Sequence, residues 1–524
     1  MREHGRIRRA VALAGAALLV TGVLAGCDSA VEPEASDPTT GRPTPAATGK
    51  GAQGSPGLPA ALTSQRPDWK RCKAPEGGTD PGSDWKCATV DVPLDYAKPS
   101  GRAIGIALIR TEARDRDKRL GSMLFNFGGP GGSGVDILPR AAPSYEKLNS
   151  RYDLVGFDPR GVAGSSGVRC RTDKEQATTN RTVDMTPDTP AEEAAFVNDG
   201  AAFGAGCERR SAALLPHVGT SNAARDMDLI RQVLGDARLS YFGISYGTEL
   251  GATYAHLFPA NVGRTVLDAV VDPTADGVGH ARNQTKGFQR ALENYLKGRG
   301  QDPEAGTQRI ARLLQRIDGS PLPTDSGRRL NESLAITGIV TPLYSESSWP
   351  SLTAALDEAE TKGTGNGLLD LADAYNGRDE NGRYDTQSHS QRAISCADTT
   401  SRPTVDEARA LLPEFRKLSP VFGPFLAWDT AGWCARWPVD GEHDTPEASA
   451  PGAGPILVIG TTGDPATPYE GAQKMADELG EGVGIMITNK GEGHGAYGES
   501  ACVTSTVDDY FLDGEVPADG KVCS

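Results

Sequence analysis

The sequence predicts an α/β fold whose sheet is interrupted by a mostly helical insertion. Strand-like runs such as "SMLFNFGG" and "YDLVGFDPRG" are each followed by helical sequence, an alternation typical of a largely parallel sheet. Between residues 274 and 450 helical patterns such as "FQRALENYLKG" and "WPSLTAALDEAE" dominate, and strand signals return with "GPILVIGTTGDP" and "VGIMITNKGEGHG". We therefore expect a core in two parts, residues 67–273 and 451–524, around a helical lid at 274–450.

The elements of the first core segment can be placed in chain order. "CATVDVPLDY" and "AIGIALIRTEA" predict two strands that could pair in antiparallel fashion. "NAARDMDLIRQVLG" predicts an amphipathic helix that leads into the strand "RLSYFGIS". "YGTELGATYAHLFP" predicts a helix that begins directly after that strand and stops at Pro259. "RTVLDAVVDP" supplies another buried strand before the insertion.

The N-terminal segment has the layout of an export signal. "MREHGRIRRA" carries four arginines, and the apolar stretch after it ends in "LAGC" at residues 24–27. Because this ending resembles a lipobox, residues 1–26 are expected to be a lipoprotein signal peptide and Cys27 the lipidated first mature residue. A plain signal peptide and an uncleaved membrane anchor are the alternatives. Residues 27–66, rich in Pro, Gly, Ser and Thr, predict a disordered tether.

Composition and charge limit the partners of the protein. A hydrophobic fraction of 38% and a charged fraction of 23% suit a globular protein with some polar, disordered sequence attached. The formal net charge is −15 at pH 7, and removal of the arginine-rich signal makes the mature chain more negative. A nucleic acid partner is therefore not expected. Contact with a membrane is expected only through the lipid anchor at Cys27, on an exported protein that is either anchored or secreted.

Cysteine usage agrees with export to an oxidising compartment. Nine cysteines without Cys27 leave eight, an even number, which makes four disulfides plausible. A metal site is the competing interpretation, but no C-x-x-C pair or Cys/His cluster of zinc spacing occurs. Since each couple could close a loop within one region, we predict local pairs: Cys72 with Cys87, Cys170 with Cys207, Cys396 with Cys434, and Cys502 with Cys523.

The stretch "YFGISYGTEL" places Ser245 between two glycines at G-x-S-x-G spacing. Such a pentapeptide also arises by chance around an ordinary turn serine. Its context favours a nucleophile, because a predicted strand precedes it and a predicted helix follows at once. The sharp turn would lift the serine side chain above the sheet, while Gly243 and Gly247 would allow the helix to approach the strand.

Two further segments place an acid and a histidine after the later strands. "IGTTGDPATP" puts Asp464 just past a buried strand, and "KGEGHGAYG" puts His494 in a Gly-rich loop past the last strand signal. The chain order Ser, Asp, His is the α/β-hydrolase order. Asp464 could instead cap a turn, and most lone histidines are structural or merely exposed. The joint occurrence of the motifs in the right order favours a catalytic triad over these alternatives.

The Gly-rich run "FNFGGPGGSG" follows a predicted strand. Phosphate-binding loops use G-x-G-x-x-G or G-x-x-x-x-G-K-[ST], and both patterns fail here. The alternative is an oxyanion hole, in which the loop offers the N–H of Gly129 and the residue after the nucleophile, Tyr246, offers a second. For the outer glycines, Gly132 and Gly134, a simple tight turn is an equally good explanation.

These motifs together carry a family resemblance. "NFGGPGGSG", "DLVGFDPRGVAGSS", "YFGISYGTELGATYAHLFP", "TTGDPATP" and "GEGHGAY" resemble the secreted tripeptidyl aminopeptidase family, which is related to prolyl aminopeptidases within the α/β hydrolases. The similarity spans nearly all of residues 67–524 and implies an α/β-hydrolase fold with a helical lid. One departure is Phe127, where the prolyl aminopeptidase pattern H-G-G-P-G has histidine, so the role of that side chain is not carried over.

Carried over by residue, the resemblance implies a serine peptidase site. Ser245 would be the nucleophile, His494 the general base and Asp464 the group that orients it, with Gly129 and Tyr246 as oxyanion donors. The expected function is extracellular release of short peptides, tripeptides by the resemblance, from free N-termini of peptide substrates. An esterase or lipase with the same triad, or less plausibly a non-catalytic binding lipoprotein, is the alternative. No cofactor and no metal are expected.

An aminopeptidase needs an anionic partner for the substrate's free amine. The lid is the expected source of this group. Glu346 in "LYSESSWP" and Asp398 in "ISCADTT" are candidates, since the first lies near Trp349 and the second near the predicted crosslink of Cys396. The alternative is that both are solvated surface carboxylates.

Overall fold

The computed structural model describes residues 57–74 and 80–524. Within these ranges the strands form one ten-stranded mixed sheet and a separate two-stranded antiparallel sheet. The strands are β1 (Lys70–Arg71), β2 (Lys86–Pro93), β3 (Ala103–Thr111), β4 (Gly121–Asn126), β5 (Tyr152–Phe157), β6 (Leu239–Ile244), β7 (Val262–Asp268), β8 (Leu322–Pro323), β9 (Arg329–Leu330), β10 (Ile456–Gly463), β11 (Gly484–Glu492) and β12 (Lys521–Cys523).

Helices connect the strands and fill the long stretch between β7 and β10. The α-helices are α1 (Ala60–Thr63), α2 (Gly134–Ala141), α3 (Glu146–Asn149), α4 (Asp173–Thr182), α5 (Pro190–Ser211), α6 (Thr220–Leu234), α7 (Tyr246–Leu257), α8 (Gly277–Gly298), α9 (Pro303–Gly319), α10 (Glu332–Leu343), α11 (Trp349–Thr361), α12 (Asn366–Tyr375), α13 (Gln387–Asp398), α14 (Val405–Leu418), α15 (Gly423–Trp433), α16 (Tyr469–Leu479) and α17 (Ala501–Asp513). Short 3-10 helices span Arg116–Lys118, Ala142–Tyr145, Leu215–His217, Pro259–Asn261 and Glu346–Ser348.

The large sheet has the strand order β1-β2-β3-β5-β4-β6-β7-β10-β11-β12. The predicted antiparallel pairing of β2 with β3 is confirmed, in a register that runs from Lys86 opposite Arg110 to Pro93 opposite Ala103. From β5 to β12 every pair of neighbours is parallel. Parallel strands joined by helices, with a strand-turn-helix elbow directly after β6, are the α/β-hydrolase arrangement, which confirms the predicted fold class.

This topology brings distant parts of the chain to one edge of the sheet. Because β6, β7, β10 and β11 are successive parallel neighbours, their carboxyl ends lie side by side. Ser245 follows β6, Asp268 ends β7, Asp464 follows β10 and His494 follows β11. The carboxyl ends of parallel strands are where ligands bind in open α/β sheets. The sheet therefore gathers the three predicted triad residues at one edge.

The interior is divided into three buried apolar clusters. Successive side chains of β4 belong to different clusters: Leu124 lies in one, and Met123 and Phe125 lie in another. This follows because successive side chains of a strand point to opposite faces of the sheet. The third cluster is built mainly from α8 to α15, between β7 and β10. Phe196 of α5 also belongs to it, so a helix outside the predicted lid packs with the lid's own core. The lid boundaries at 274 and 450 stay a prediction.

The predicted tether extends less far than residue 66. Leu62 of α1 is buried and Leu58 packs against the same core cluster. The side chain of Gln65 pairs with the backbone of Asp91, donating to its carbonyl at 2.7 Å and accepting from its N–H at 2.8 Å. The prediction of disorder is therefore wrong for these residues, because the core supplies partners that local composition does not reveal. The rest of the tether, the signal peptide and Cys27 lie outside the described residues.

All four predicted cysteine pairs are disulfides in the structure. Each closes a loop of modest length, between 15 and 38 residues in sequence separation. Such bonds persist in oxidising compartments and support an exported protein. In the described part of the chain, no helix combines the length and the apolar character needed to cross a membrane.

Candidate active site

Ser245 occupies a strained turn between β6 and α7. Its backbone has φ 58° and ψ −127°, a conformation that a residue with a side chain rarely adopts. Hydrogen bonds hold the turn on both sides: the N–H of Ser245 donates to the Asp268 carbonyl at 3.1 Å, and its own carbonyl accepts from the Thr248 N–H at 2.8 Å. The strain therefore lies at the residue expected to act as nucleophile.

The two glycines of the motif permit close packing beneath this turn. A Cβ on Gly243 would lie 2.3 Å from the carbonyl oxygen of Gly247, and one on Gly247 would lie 2.6 Å from the carbonyl oxygen of Asn126. Both distances are shorter than any real Cβ contact. The structure therefore shows the close approach of helix and strand that was predicted for Gly243 and Gly247.

Asp464 and His494 form a directly bonded pair. The Nδ1 atom of His494 lies 3.0 Å from each carboxylate oxygen of Asp464. Asp464 is fully buried, and it also accepts hydrogen bonds from the N–H groups of Ala466 and Thr467, each at 2.9 Å. These bonds immobilise the carboxylate so that it faces the imidazole, which leaves Nε2 of His494 available for proton transfer.

Two further residues, which were not predicted from the sequence, contact His494. The hydroxyl of Thr467 donates to Asp464 at 3.1 Å and lies 3.3 Å from Nδ1 of His494. Tyr344 follows α10, and its backbone carbonyl accepts a hydrogen bond from the backbone N–H of His494 at 2.9 Å. The ring of Tyr344 lies edge-on to the imidazole, with 5.3 Å between the ring centroids. Thr467 lies three residues after Asp464, a spacing visible in "GDPATP"; nothing in the sequence links Tyr344 to the histidine.

Asp268, at the end of β7, binds the backbone of the loop that carries His494. Its carboxylate accepts the N–H groups of Ala496 and Tyr497, both at 2.9 Å. Burial opposes protonation of His494, but the charge and hydrogen bond of Asp464 and the charge of Asp268 outweigh it. The pKa of His494 is therefore raised above its usual value of 6.5.

The Gly-rich loop lies against the nucleophile. A Cβ on Gly128 would lie 2.7 Å from Cβ of Ser245, and its φ of +87° also favours glycine. Within the described residues the N–H of Gly129 has no hydrogen-bond acceptor, and that of Tyr246, in the first turn of α7, lacks an intrahelical one. Both predicted donors are thus unpaired next to Ser245. Their role in an oxyanion hole stays a prediction.

Ser245 and His494 line the same cavity, but among the described residues no hydrogen bond joins their side chains. Catalytic hydrogen bonds are often long in the absence of substrate and tighten in the reacting complex. The geometry brings together all three predicted triad residues, with the Asp–His half already bonded.

The cavity has a volume of about 680 Å³, within the range of ligand-binding sites. Core segments contribute Ser245, Tyr246 and His494, and the insertion contributes side chains of α8, α10, α13 and α15. No lysine or arginine belongs to the described residues of its wall. The carboxyl side chains that line it are Glu249, Asp272, Asp276, Asp385, Asp398, Asp429 and Asp444.

The two predicted amine-binding residues differ in position. Asp398, at the end of α13, is buried and lines the cavity. Glu346 is exposed on a 3-10 helix and is not among the described residues of the cavity wall; its charge contributes to the raised pKa of Glu492. The prediction for Glu346 is corrected, because the 3-10 turn before α11 directs this residue to solvent. The prediction for Asp398 remains.

A second acidic group lies away from this cavity. Carboxylate oxygens of Asp184, Asp318 and Glu332 come within 4.8 Å of one another, but none of these residues lines the cavity. Asp318 is exposed, and exposed acidic groups of this kind are common without a bound ion. The expectation that the enzyme uses no metal stays a prediction.

Comparison with known proteins establishes the family. A family model described as TAP-like protein matches residues 419–523. Serine protease Hip1 of Mycobacterium tuberculosis is 34% identical over 482 residues, which cover 87% of this chain and 90% of that protein. Tripeptidyl aminopeptidase of Streptomyces lividans is 31% identical over 563 residues, which cover 100% of this chain and 99% of that protein. The chain belongs to the tripeptidyl aminopeptidase family.

Membership of the tripeptidyl aminopeptidase family makes this chain a serine hydrolase and confirms the resemblance derived from its motifs. One further relative carries a different name: Carboxylesterase B of Mycobacterium tuberculosis is 35% identical over 490 residues, which cover 90% of this chain and 92% of that protein. Relatives with similar sequence identity to this chain thus have names from both the peptidase and the esterase class. The choice between peptide and ester substrates has to come from the site itself.

Proposed function

We propose that the protein is an exported serine exopeptidase that releases short peptides, tripeptides in particular, from free N-termini. The observation that carries this proposal is the composition of the cavity: a strained serine and the histidine of the bonded Asp–His pair line it together with carboxylates, and no lysine or arginine is among the described residues of its wall. Such a cavity suits a substrate with a cationic amine. Relatives named tripeptidyl aminopeptidase and serine protease support peptide substrates.

In the proposed reaction, the hydroxyl of Ser245 attacks the scissile carbonyl carbon while Nε2 of His494 accepts its proton. The N–H groups of Gly129 and Tyr246 stabilise the oxyanion that forms. Collapse of the tetrahedral intermediate breaks the C–N bond, and His494 returns the proton to the leaving amine. The acyl-enzyme is then hydrolysed by water that His494 deprotonates. Throughout, Asp464 holds the imidazole tautomer and stabilises its charged form.

Peptide p-nitroanilides of one to four residues, each with a free and an N-acetylated terminus, test this proposal. We expect cleavage of the free tripeptide anilide to exceed that of its acetylated form and of the other lengths, because both charge and length are selected by the cavity. Comparable cleavage of free and acetylated peptides would contradict an exopeptidase, and comparable cleavage of free peptides of every length would contradict a preference for tripeptides.

An esterase with the same catalytic groups is the second candidate. It is favoured by the relative named Carboxylesterase B, which resembles this chain as closely as the relatives named as peptidases. Short-chain p-nitrophenyl esters belong in the same assay series. Turnover of esters with no turnover of any peptide anilide would replace the peptidase proposal by this one.

We also propose that the mature protein is anchored to the outer face of the membrane by a lipid on Cys27. The lipobox-like "LAGC" and the four disulfides support this location. Mass spectrometry of the N-terminal peptide from protein made in its native host is expected to show Cys27 as the acylated first residue. An N-terminal peptide with unmodified Cys27, or one that begins elsewhere, would indicate a secreted or differently processed protein.

A further inference from the structure

Glu249 is a carboxylate in the active-site cavity that the proposed reaction does not use. It lies on α7, four residues after Ser245, and its side chain reaches the cavity wall. Within the described residues its carboxylate has neither a hydrogen-bond donor nor a cationic partner. A partly buried carboxylate without a partner costs free energy, which a cationic ligand would recover.

Asp398 lies near Glu249 and is held in place by the core. Its carboxylate accepts the N–H and the hydroxyl of Thr220, each at 2.7 Å, at the first residue of α6. The same hydroxyl lies 2.6 Å from the phenol oxygen of Tyr246, whose backbone N–H is a proposed oxyanion donor. Each oxygen of Asp398 uses one hydrogen bond and keeps capacity for another. The chain of bonds fixes Asp398 relative to the reacting centre.

The charges that act on these two groups are all negative. Burial and the charge of Asp398 raise the pKa of Glu249 to about 8. Burial raises the pKa of Asp398 to about 7 despite its hydrogen bonds to Thr220, with a further contribution from the charge of Glu442. Without a cation, Glu249 is therefore largely protonated near neutral pH and Asp398 partly so. An ammonium group between them would favour the ionised form of both.

We propose that Glu249 and Asp398 together form the subsite that binds the free α-ammonium group of the substrate. This inference rests on the proposed exopeptidase function and adds a residue, Glu249, that binds the amine jointly with Asp398. An ammonium group has three donors, enough to bind both carboxylates of this cavity wall at once.

The position of Glu249 also bears on the length of the released peptide. At a rise of 1.5 Å per residue, Glu249 lies about 6 Å along α7 from Ser245. In an acyl group of one residue the amine is only about 2.5 Å from the carbonyl carbon, whereas three extended residues span about 10 Å. An amine held at about this distance from Ser245 therefore favours acyl groups of more than one residue.

Glu249→Gln is the primary test, because it keeps the shape of an unpartnered side chain and removes its charge. The measured quantity is the ratio of kcat/KM for free and N-acetylated tripeptide p-nitroanilides. We expect this ratio to fall by about 10-fold to 100-fold, the loss typical of one hydrogen bond to a charged group. Asp398→Asn is expected to lower the same ratio, and the loss is expected mainly in KM.

Asp276→Asn is the matched control. Asp276 also lines the cavity, but its carboxylate caps α8 by accepting the Gly279 N–H at 2.7 Å, a bond that asparagine can keep. We expect Asp276→Asn to retain the free-to-acetylated ratio of the unmodified enzyme. An unchanged ratio in both Glu249→Gln and Asp398→Asn, or an equal loss in Asp276→Asn, would overturn the subsite.

Calorimetric binding of free and N-acetylated tripeptides to the Ser245→Ala protein separates this inference from the proposed function. If the enzyme cleaves no peptide anilide, the exopeptidase proposal fails, but preferential binding of the free tripeptide would still support the subsite. Loss of that preference after a second substitution, Glu249→Gln, is the expected result. Equal affinity for the free and acetylated tripeptides would overturn the subsite even in an active peptidase.

Discussion

Replacing Ser245 with alanine is expected to lower kcat on peptide p-nitroanilides by roughly a millionfold, because no other group at the elbow can form the acyl-enzyme. The fold should be unaffected, since alanine fits the same space and meets the same backbone strain. Steady-state kinetics and labelling with a fluorophosphonate probe measure the loss. Any remaining turnover above the uncatalysed rate of hydrolysis in water would come from substrate binding and the oxyanion donors.

Ser388→Ala is the matched control for this experiment. Ser388 is an exposed serine in the wall of the same cavity, at the start of α13. It should keep full labelling and turnover, and both variants should unfold at the Tm of the unmodified protein. Probe labelling that persists in Ser245→Ala would remove this residue from the nucleophile role.

Replacing Asp464 with asparagine is expected to reduce kcat by roughly ten-thousandfold, the size of effect seen when a triad acid loses its charge but not its shape. Asparagine cannot stabilise the imidazolium, and its amide favours the wrong tautomer of His494. Initial-rate measurements on the free tripeptide anilide, with circular dichroism to verify the fold, give the magnitude. A loss of less than tenfold would indicate that another group orients His494.

The pH profile provides an independent measure of the same pair. Only neutral His494 can accept the serine proton, so kcat/KM should fall as the pH drops through the raised pKa, with a midpoint above 6.5. In Asp464→Asn the main interaction that raises this pKa is lost while burial remains, so the midpoint should move to lower pH. Asp268→Asn is the control: it should move the midpoint in the same direction by less and keep most of kcat at high pH. A midpoint that stays in place in Asp464→Asn would contradict the assignment.

Most of the predictions that came from local sequence agree with the structure. The strand before Ser245 and the helix after it could be predicted because apolar periodicity and a closing Pro259 lie within a short window. The four disulfides could be predicted because each pair is close in sequence. The tether was extended too far, since Leu62 and Gln65 find partners only in the folded core.

The cavity wall was much harder to predict. Glu346 and Asp398 both lie in the insertion beside residues expected to be rigid, and the sequence offers no means of separating them. The structure turns Glu346 to solvent and buries Asp398 against the first turn of α6. Tyr344 contacts His494 only because the end of α10 packs against the loop that follows β11. Each of these outcomes depends on contacts between segments far apart in the chain.

By itself, the sequence determined the elbow at Ser245 and the chain order Ser245, Asp464, His494, from which the triad is predicted. It could do so because strand-turn-helix signals and parallel pairing depend on short stretches and on topology rules of general validity. Only the tertiary structure decided which carboxylates face the reacting centre. Glu249 is four residues from Ser245 in the sequence, yet its proposed partner, Asp398, lies on α13 within the insertion and influences it through its charge. What a helical side chain faces depends on how the helix packs against other segments. A local sequence pattern reveals the periodicity of a helix, but it does not reveal which segment lies beside it.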